Sequence, residues 1–185
     1  LRLVGSEMCI RDRFYRCLEQ EISSKRVTLG NLEQAQLCLS RVFDAELARQ
    51  AQVEGVRYLP LSSTECAQAN RLKQTLIDNL NVQARMLPRF TPQRFELSIE
   101  PGQAIDYAGV RLMGRVDRID IDAEHGHYVV IDYKGGIAGH DAGFDPDEQE
   151  GFRIPSKIQT LIYAQALRGV VESARPVGAL YLSYR

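Results

Sequence analysis

Apolar positions along the chain follow two different periods. Up to about residue 90 they recur three or four residues apart; from Arg94 onward they alternate. Phe14, Leu18 and Ile22 form a short helical stripe over residues 14–23. Leu32, Ala35, Leu39, Val42, Phe43 and Leu47 mark a second helix, with Asn31 placed to cap its start. Ser62 and Glu65 have the spacing of a capping box and open a third helix. Its apolar face is Ala69, Leu72, Leu76, Ile77 and Leu80, and it must end before Pro88.

Three strand-like runs follow: RFELSIE (94–100), VRLMGRVDRIDI (110–121) and YVVIDYK (128–134). The connections PGQAIDYAG and AEHG separate them, and a loop rich in Gly, Pro and acids covers Ile137–Pro155. Ser156 is the expected N-cap of a further helix, KIQTLIYAQALR, with Gly169 as its stop. VGALYLSY reads as a last strand. This order predicts an α/β (α+β) fold: a mixed sheet with an antiparallel meander, flanked by helices. One domain is expected, with a helical part over 14–90 and a sheet part over 94–185. Residues 1–13, LRLVGSEMCIRDR, lack both an initiating Met and the apolar stretch of a signal peptide. They resemble adapter read-through and are set aside as a non-native leader. The final strand stops in mid-run, so the chain reads as a fragment truncated at both ends.

Composition narrows the partners. The net charge is −1, so no global basic field draws in nucleic acid, and any such surface must be a local patch. The longest apolar runs, such as YVVI (128–131), are far too short to span a bilayer. No membrane partner is therefore expected, and a cytoplasmic location is expected from the cysteine pattern. The four cysteines, Cys9, Cys17, Cys38 and Cys66, are scattered and form no CxxC pair. That spacing indicates neither zinc nor redox chemistry, and predicts buried or partly buried free thiols.

The candidate chemistry lies in GRVDRIDIDAEHGHYVVIDYKGG, Gly114–Gly136. Alternation puts Asp132 and Lys134 on one face of their strand, with Val129, Ile131 and Tyr133 on the other. If Ala123–Gly126 is the hairpin loop, Asp122 stands opposite His127, and the same register sets Asp117 opposite Asp132. Directly opposed residues have β-carbons roughly 5 Å apart. Two carboxylates that close repel unless a cation lies between them. A five-residue loop would send the two side chains to opposite faces. Asp117 and Asp132, with the Tyr133 carbonyl and waters, make the oxygen-rich, partly open donor set that suits Mg²⁺. Lys134 is placed to orient a nucleophilic water or to neutralise charge developing on phosphorus. There is no Walker loop, so ATP hydrolysis is not expected.

GRVDRID (114–120), VIDYKGG (130–136) and QTLIY (159–163) together resemble the PD-(D/E)xK nuclease superfamily, most closely its RecB/AddB-type branch. The resemblance covers residues 94–185. It implies a restriction-endonuclease-like core and a Mg²⁺-dependent DNA nuclease, with Mn²⁺ as a substitute, serving as a module of a longer helicase–nuclease in repair or recombination. Asp117 and Asp132 would bind the metal, and Lys134 would be the catalytic lysine. Gln159 and Tyr163 match the family's QxxxY helix beside the active site and the DNA; four residues apart, they share a helix face. The family's upstream His or Glu would fall near Phe14, where the leader interrupts the sequence. Gly135 and Gly136 stand where many relatives have Thr-Gly. Some relatives hold an iron–sulfur cluster, with three of its cysteines after the core. No cysteine follows Cys66, so no cluster is expected in this chain.

Other charges have blander readings. Asp120 and Asp122 read as solvent-facing or turn residues, Glu96 as a surface glutamate able to approach the metal, and His125 and His127 as solvated turn residues. Arg115, Arg118, Arg153 and Lys157 are candidate phosphate contacts, and the acidic loop would point away from DNA or gate it. The leading rival function is a non-catalytic DNA-binding scaffold that keeps the fold. Another is a stand-alone nuclease of RNA or single-stranded ends.

Overall fold

The structure is a computed structural model, and it describes residues 6–53, 62–134, 136, 158–171 and 173–183. The chain divides into two compact units, Leu1–Pro88 and Arg89–Arg185.

The first unit consists of helices α1 (Ser6–Ile22), α2 (Leu32–Val53) and α3 (Ser63–Met86). The stripe on α1 begins a turn earlier than the sequence suggested. Ile10, Phe14 and Leu18 are all buried, and the helix runs unbroken through residue 13. On α2 the buried apolar positions are Ala35, Cys38, Leu39 and Phe43, and on α3 they are Ala69, Leu76, Leu80 and Ala84. These are the helical spacings that give each helix one apolar face. The capping box on α3 is formed: Ser62 Oγ accepts from the Glu65 backbone, and Glu65 Oε2 accepts from Ser62 N at 2.8 Å. Asn31 acts differently from its expected role. Its side chain turns back, accepting from Thr28 N at 2.8 Å and donating to the Arg26 carbonyl at 3.0 Å. It closes the preceding turn, and its main-chain carbonyl starts the helix by accepting from Ala35 N.

The second unit is a four-stranded mixed sheet, order β1-β4-β5-β6, with a small two-stranded sheet, β2-β3, and one helix. The strands are β1 (Thr91–Ile99), β2 (Ile105–Tyr107), β3 (Val110–Leu112), β4 (Gly114–Asp122), β5 (His127–Lys134) and β6 (Arg175–Ser183); helix α4 is Gln159–Ala166. The antiparallel meander β1-β4-β5 is completed by β6, which runs parallel to β5. This mixed α/β architecture is the expected fold class. Pro92 is accommodated because β1 is an edge strand, and the register shifts between Pro92 and Arg94.

Two local readings are corrected. The run 110–121 is not one strand: it breaks at Met113, and its first three residues pair instead with Ile105–Tyr107, inside the segment expected to be a plain connection. Gly114, at φ +143, makes the break, in a conformation closed to most side chains. Helix α4 also ends earlier than Gly169, with Leu167 as its C-cap. The expected Ser156 cap and the acidic loop over 137–155 lie outside the described residues.

The core of this unit lies between the sheet and α4. Ile119, Tyr128 and Val130 pack against Tyr163, Ala164 and Leu167. The buried Tyr128 hydroxyl donates to the Ala164 carbonyl at 2.6 Å, which satisfies it without water and ties helix to strand. Burial pushes this phenol up to about 12. The face of the sheet that carries Ile119 and Val130 is therefore the face that meets α4.

Candidate active site

The hairpin between β4 and β5 fixes the site. Its loop is the four residues 123–126, and Asp122 pairs with His127. The ladder runs from that pair to Arg118↔Ile131. One step further the same register sets Asp117 across from Asp132. There the two strands are joined differently: Asp117 Oδ2 accepts a hydrogen bond from Tyr133 N at 3.0 Å. A side-chain carboxylate thus takes the place of a main-chain carbonyl at the end of the ladder. In an extended strand the N–H and C=O of one residue point toward the same neighbour, so the Tyr133 carbonyl is directed to the Asp117 side as well.

Asp132 Oδ2 lies 2.7 Å from Lys134 Nζ, and both side chains are mostly buried. Burial pulls the Lys134 ammonium down, but the hydrogen bond and charge of Asp132, with Tyr181 and Asp117 adding to them, outweigh it and leave the pKa raised. The charges of both aspartates therefore act on one lysine, which stays positive at neutral pH. Tyr181 is the partner of Asp132 in the parallel β5-β6 ladder, and its ring centroid is 6.0 Å from Lys134 Nζ.

Beside Lys134 opens a cleft of 590 Å³ lined by Leu112, Ile158, Gln159, Ile162, Tyr163 and Tyr181. Lys134 and both members of the Gln159/Tyr163 pair therefore border one space. The two members differ in environment. Gln159 is exposed at the start of α4, whereas Tyr163 is buried and donates from its hydroxyl to the Met113 carbonyl at 3.3 Å. Tyr163 thus secures α4 to the start of the strand that carries Asp117.

Arg118 is not where a phosphate contact must be. It is 3% exposed and lies on the opposite face of the sheet from Asp117. It donates from Nε to Asp120 Oδ1 at 2.5 Å, makes a second bond to Asp120 through Nη2, and reaches the Tyr133 hydroxyl at 3.0 Å. Asp120 and Asp122 are likewise buried rather than solvent-facing. Asp122 accepts from the His125 backbone and is joined by the His125 ring and Arg89. His125 is therefore engaged with Asp122 instead of simply solvated. Arg115 is ion-paired with Glu96 at 2.8 Å. Glu96, at φ +49, sits between the pairs Phe95↔Arg118 and Leu97↔Val116, so its place in the register is across from Asp117, half-buried rather than on the open surface. Arg153 and Lys157 lie outside the described residues.

The donor set suits a hard divalent cation. Asp117 bonds the Tyr133 backbone and Asp132 meets the Lys134 ammonium at the same end of the β4-β5 hairpin, and carboxylate and main-chain carbonyl oxygens are the donors that such a cation takes. Among the described residues, the only three His, Cys, Asp or Glu side chains whose ligand atoms cluster are Cys17, Glu21 and Cys38, in the helical unit. The carboxylates at this end of the β4-β5 hairpin are Asp117 and Asp132.

A family model described as the PD-(D/E)XK nuclease superfamily matches residues 12–185. The chain belongs to this superfamily. No curated protein and no solved structure matches the chain. Superfamily membership makes phosphodiester hydrolysis the expected chemistry, usually supported by a divalent metal. The matched span contains the whole β4-β5 hairpin and helix α4. No helix among the described residues is long and apolar enough to cross a membrane.

Proposed function

We propose that this chain is a Mg²⁺-dependent deoxyribonuclease module of the RecB/AddB type, working beside a helicase subunit or domain in DNA repair or recombination. The observation that supports it most directly is the shared field on Lys134. One ammonium pairs with Asp132 at 2.7 Å and also feels Asp117, whose own carboxylate is held by Tyr133 N.

Asp117, Asp132 and the Tyr133 carbonyl would hold the metal, which when bound polarises a phosphate and makes water a better nucleophile. Mn²⁺ would substitute in the same oxygen site. The chain's own groups account for the rest. Asp117 cannot swing freely, because its second role is to close the β4-β5 ladder. Lys134 keeps its proton and offers positive charge where charge builds on phosphorus. Gln159, exposed at the cleft mouth, is the group of α4 best placed to meet a phosphate or sugar edge. Tyr163 is a positioning residue that fixes that helix. The apolar walls of the cleft, with Tyr181, suit the sugar and base of a DNA strand.

The test is cleavage of linear duplex and single-stranded DNA with Mg²⁺, with Mn²⁺ and with chelator, for the wild-type chain, Asp132→Ala and Lys134→Ala. Metal-dependent cleavage lost in both variants supports the reading. Equal cleavage in all three forms removes it. Metal-independent DNA binding without cleavage points to a scaffold instead, and cleavage of RNA alone points to a ribonuclease.

A further inference from the structure

A cluster of sulfur and carboxylate ligand atoms lies in the helical unit. Cys17 and Glu21 are four residues apart on α1 and share an edge of the helix. Cys38 reaches them from α2. Their ligand atoms, two sulfurs and a carboxylate oxygen, all lie within 4.8 Å of one another. Cys17 Sγ already donates to Glu21 Oε1 at 3.3 Å. We propose that Cys17, Glu21 and Cys38 form a binding site for a thiophilic divalent cation of the Zn²⁺ class, joining α1 to α2.

Four features carry this. The first is geometry: zinc–sulfur bonds of about 2.3 Å at tetrahedral angles place neighbouring ligand atoms roughly 3.8 Å apart, within the spread seen here. The second is charge. Two thiolates and a carboxylate around a dication leave one net negative charge, and the Arg41 guanidinium is already bonded to Glu21. Metal-bound carboxylates are characteristically held by such an outer partner. The third is access. Cys38 is fully buried and Cys17 partly so, while Glu21 is exposed, so an ion can enter from solvent and meet sulfurs out of it. The fourth is selectivity: soft sulfur donors discriminate against Mg²⁺, so this site does not compete for the hard cation expected on the sheet. Three protein ligands leave a fourth position for water. Binding is balanced by release of the two thiol protons to solvent.

The test uses the full chain, kept reduced and loaded with Zn²⁺ or Co²⁺. The expected result is one tightly retained equivalent and, with Co²⁺, a sulfur-to-metal charge-transfer band with the visible bands of tetrahedral cobalt. Cys17→Ser and Cys38→Ser each remove the band, and Glu21→Gln, which removes one ligand, lowers affinity. Because Cys38 is buried, circular dichroism checks the fold of its variant. The partly exposed Cys17 gives an independent result should Cys38→Ser unfold. Asp132→Ala keeps the full cobalt spectrum, which separates this site from the nuclease reading. A spectrum without the charge-transfer band, or one unchanged in Cys17→Ser, overturns the proposal. So does a Cys17–Cys38 disulfide that forms despite saturating Zn²⁺.

Discussion

The hydroxyl of Tyr163 lies where a β-carbon at position 114 would have to go: an alanine there would place its methyl 2.2 Å from Tyr163 Oη. Gly114 also holds φ +143, so two independent constraints favour glycine at the start of β4. Gly114→Ala is expected to lower stability by about 1–3 kcal/mol from the backbone alone. It should also push Tyr163 off the Met113 carbonyl. Adding Tyr163→Phe removes the collision with the hydroxyl but leaves the backbone strain, so it recovers only part of the loss. Urea midpoints of the two single variants and the double variant separate the terms.

Asp117 can be divided into its two roles. Asp117→Asn keeps an oxygen able to accept from Tyr133 N, so unfolding free energy should change by no more than about 1 kcal/mol. The charge is gone, and metal-dependent cleavage should fall to background. A chain that keeps full activity with asparagine here would show that this carboxylate does not hold the ion.

Lys134 should matter to rate more than to substrate affinity. Lys134→Met retains the aliphatic wall of the cleft but loses the ammonium, and kcat is expected to drop roughly a hundredfold or more, with KM little changed. Steady-state cleavage with a fluorescent DNA end measures both.

Arg118 supplies a test of opposite sign to a phosphate contact. Arg118→Ala strands Asp120 as a buried charge, and the expected cost is about 3–5 kcal/mol. Replacing the pair together, Arg118→Met with Asp120→Leu, should recover most of it. The folded fraction of each variant should bind DNA as the wild type does, read by fluorescence anisotropy corrected for unfolded protein.

Tyr128 gives the chain an alkaline limit. Its pKa is raised from 10.0 to about 12 in the folded chain, because burial disfavours the phenolate. A group whose folded pKa is raised contributes stability that is fully present below its unfolded pKa. That contribution is therefore intact below pH 10 and is lost as pH rises toward about 12. Tyr128→Phe should cost about 1 kcal/mol at neutral pH through the lost bond to Ala164. The difference between the two proteins should shrink as pH climbs past 10, measured by urea unfolding across that range.

Much of the geometry was legible in the sequence because it depends on short-range rules. The four-residue turn fixed which residue faces which, and alternation then put Asp132 and Lys134 together. The Ser62/Glu65 box was readable for the same reason, since both partners lie within one turn of helix. What escaped needed tertiary knowledge. Alternation already sets Arg118, Asp120 and Asp122 on one face, but nothing local says that this face is buried, where Arg118 pairs with Asp120 and Asp122 with His125 and Arg89. The strand Ile105–Tyr107 is too short to show a period. Asn31 had two hydrogen-bonding choices of similar worth, and the turn before it won. Cys17 and Cys38 are distant in sequence, and only the packing of two helices brings them together; Cys66, expected to be at least partly buried, is exposed.

The order in which the catalytic end can assemble follows from its connections. The acids ride on strands joined by a minimal turn, so their meeting closes a short loop and needs little of the remaining chain. The wall that Tyr181 contributes arrives through a parallel crossover that must first dock α4, a slower, longer-range event. A nascent chain could thus hold its paired acids before it owns a finished cleft, whose Tyr181 wall comes only as the last strand settles.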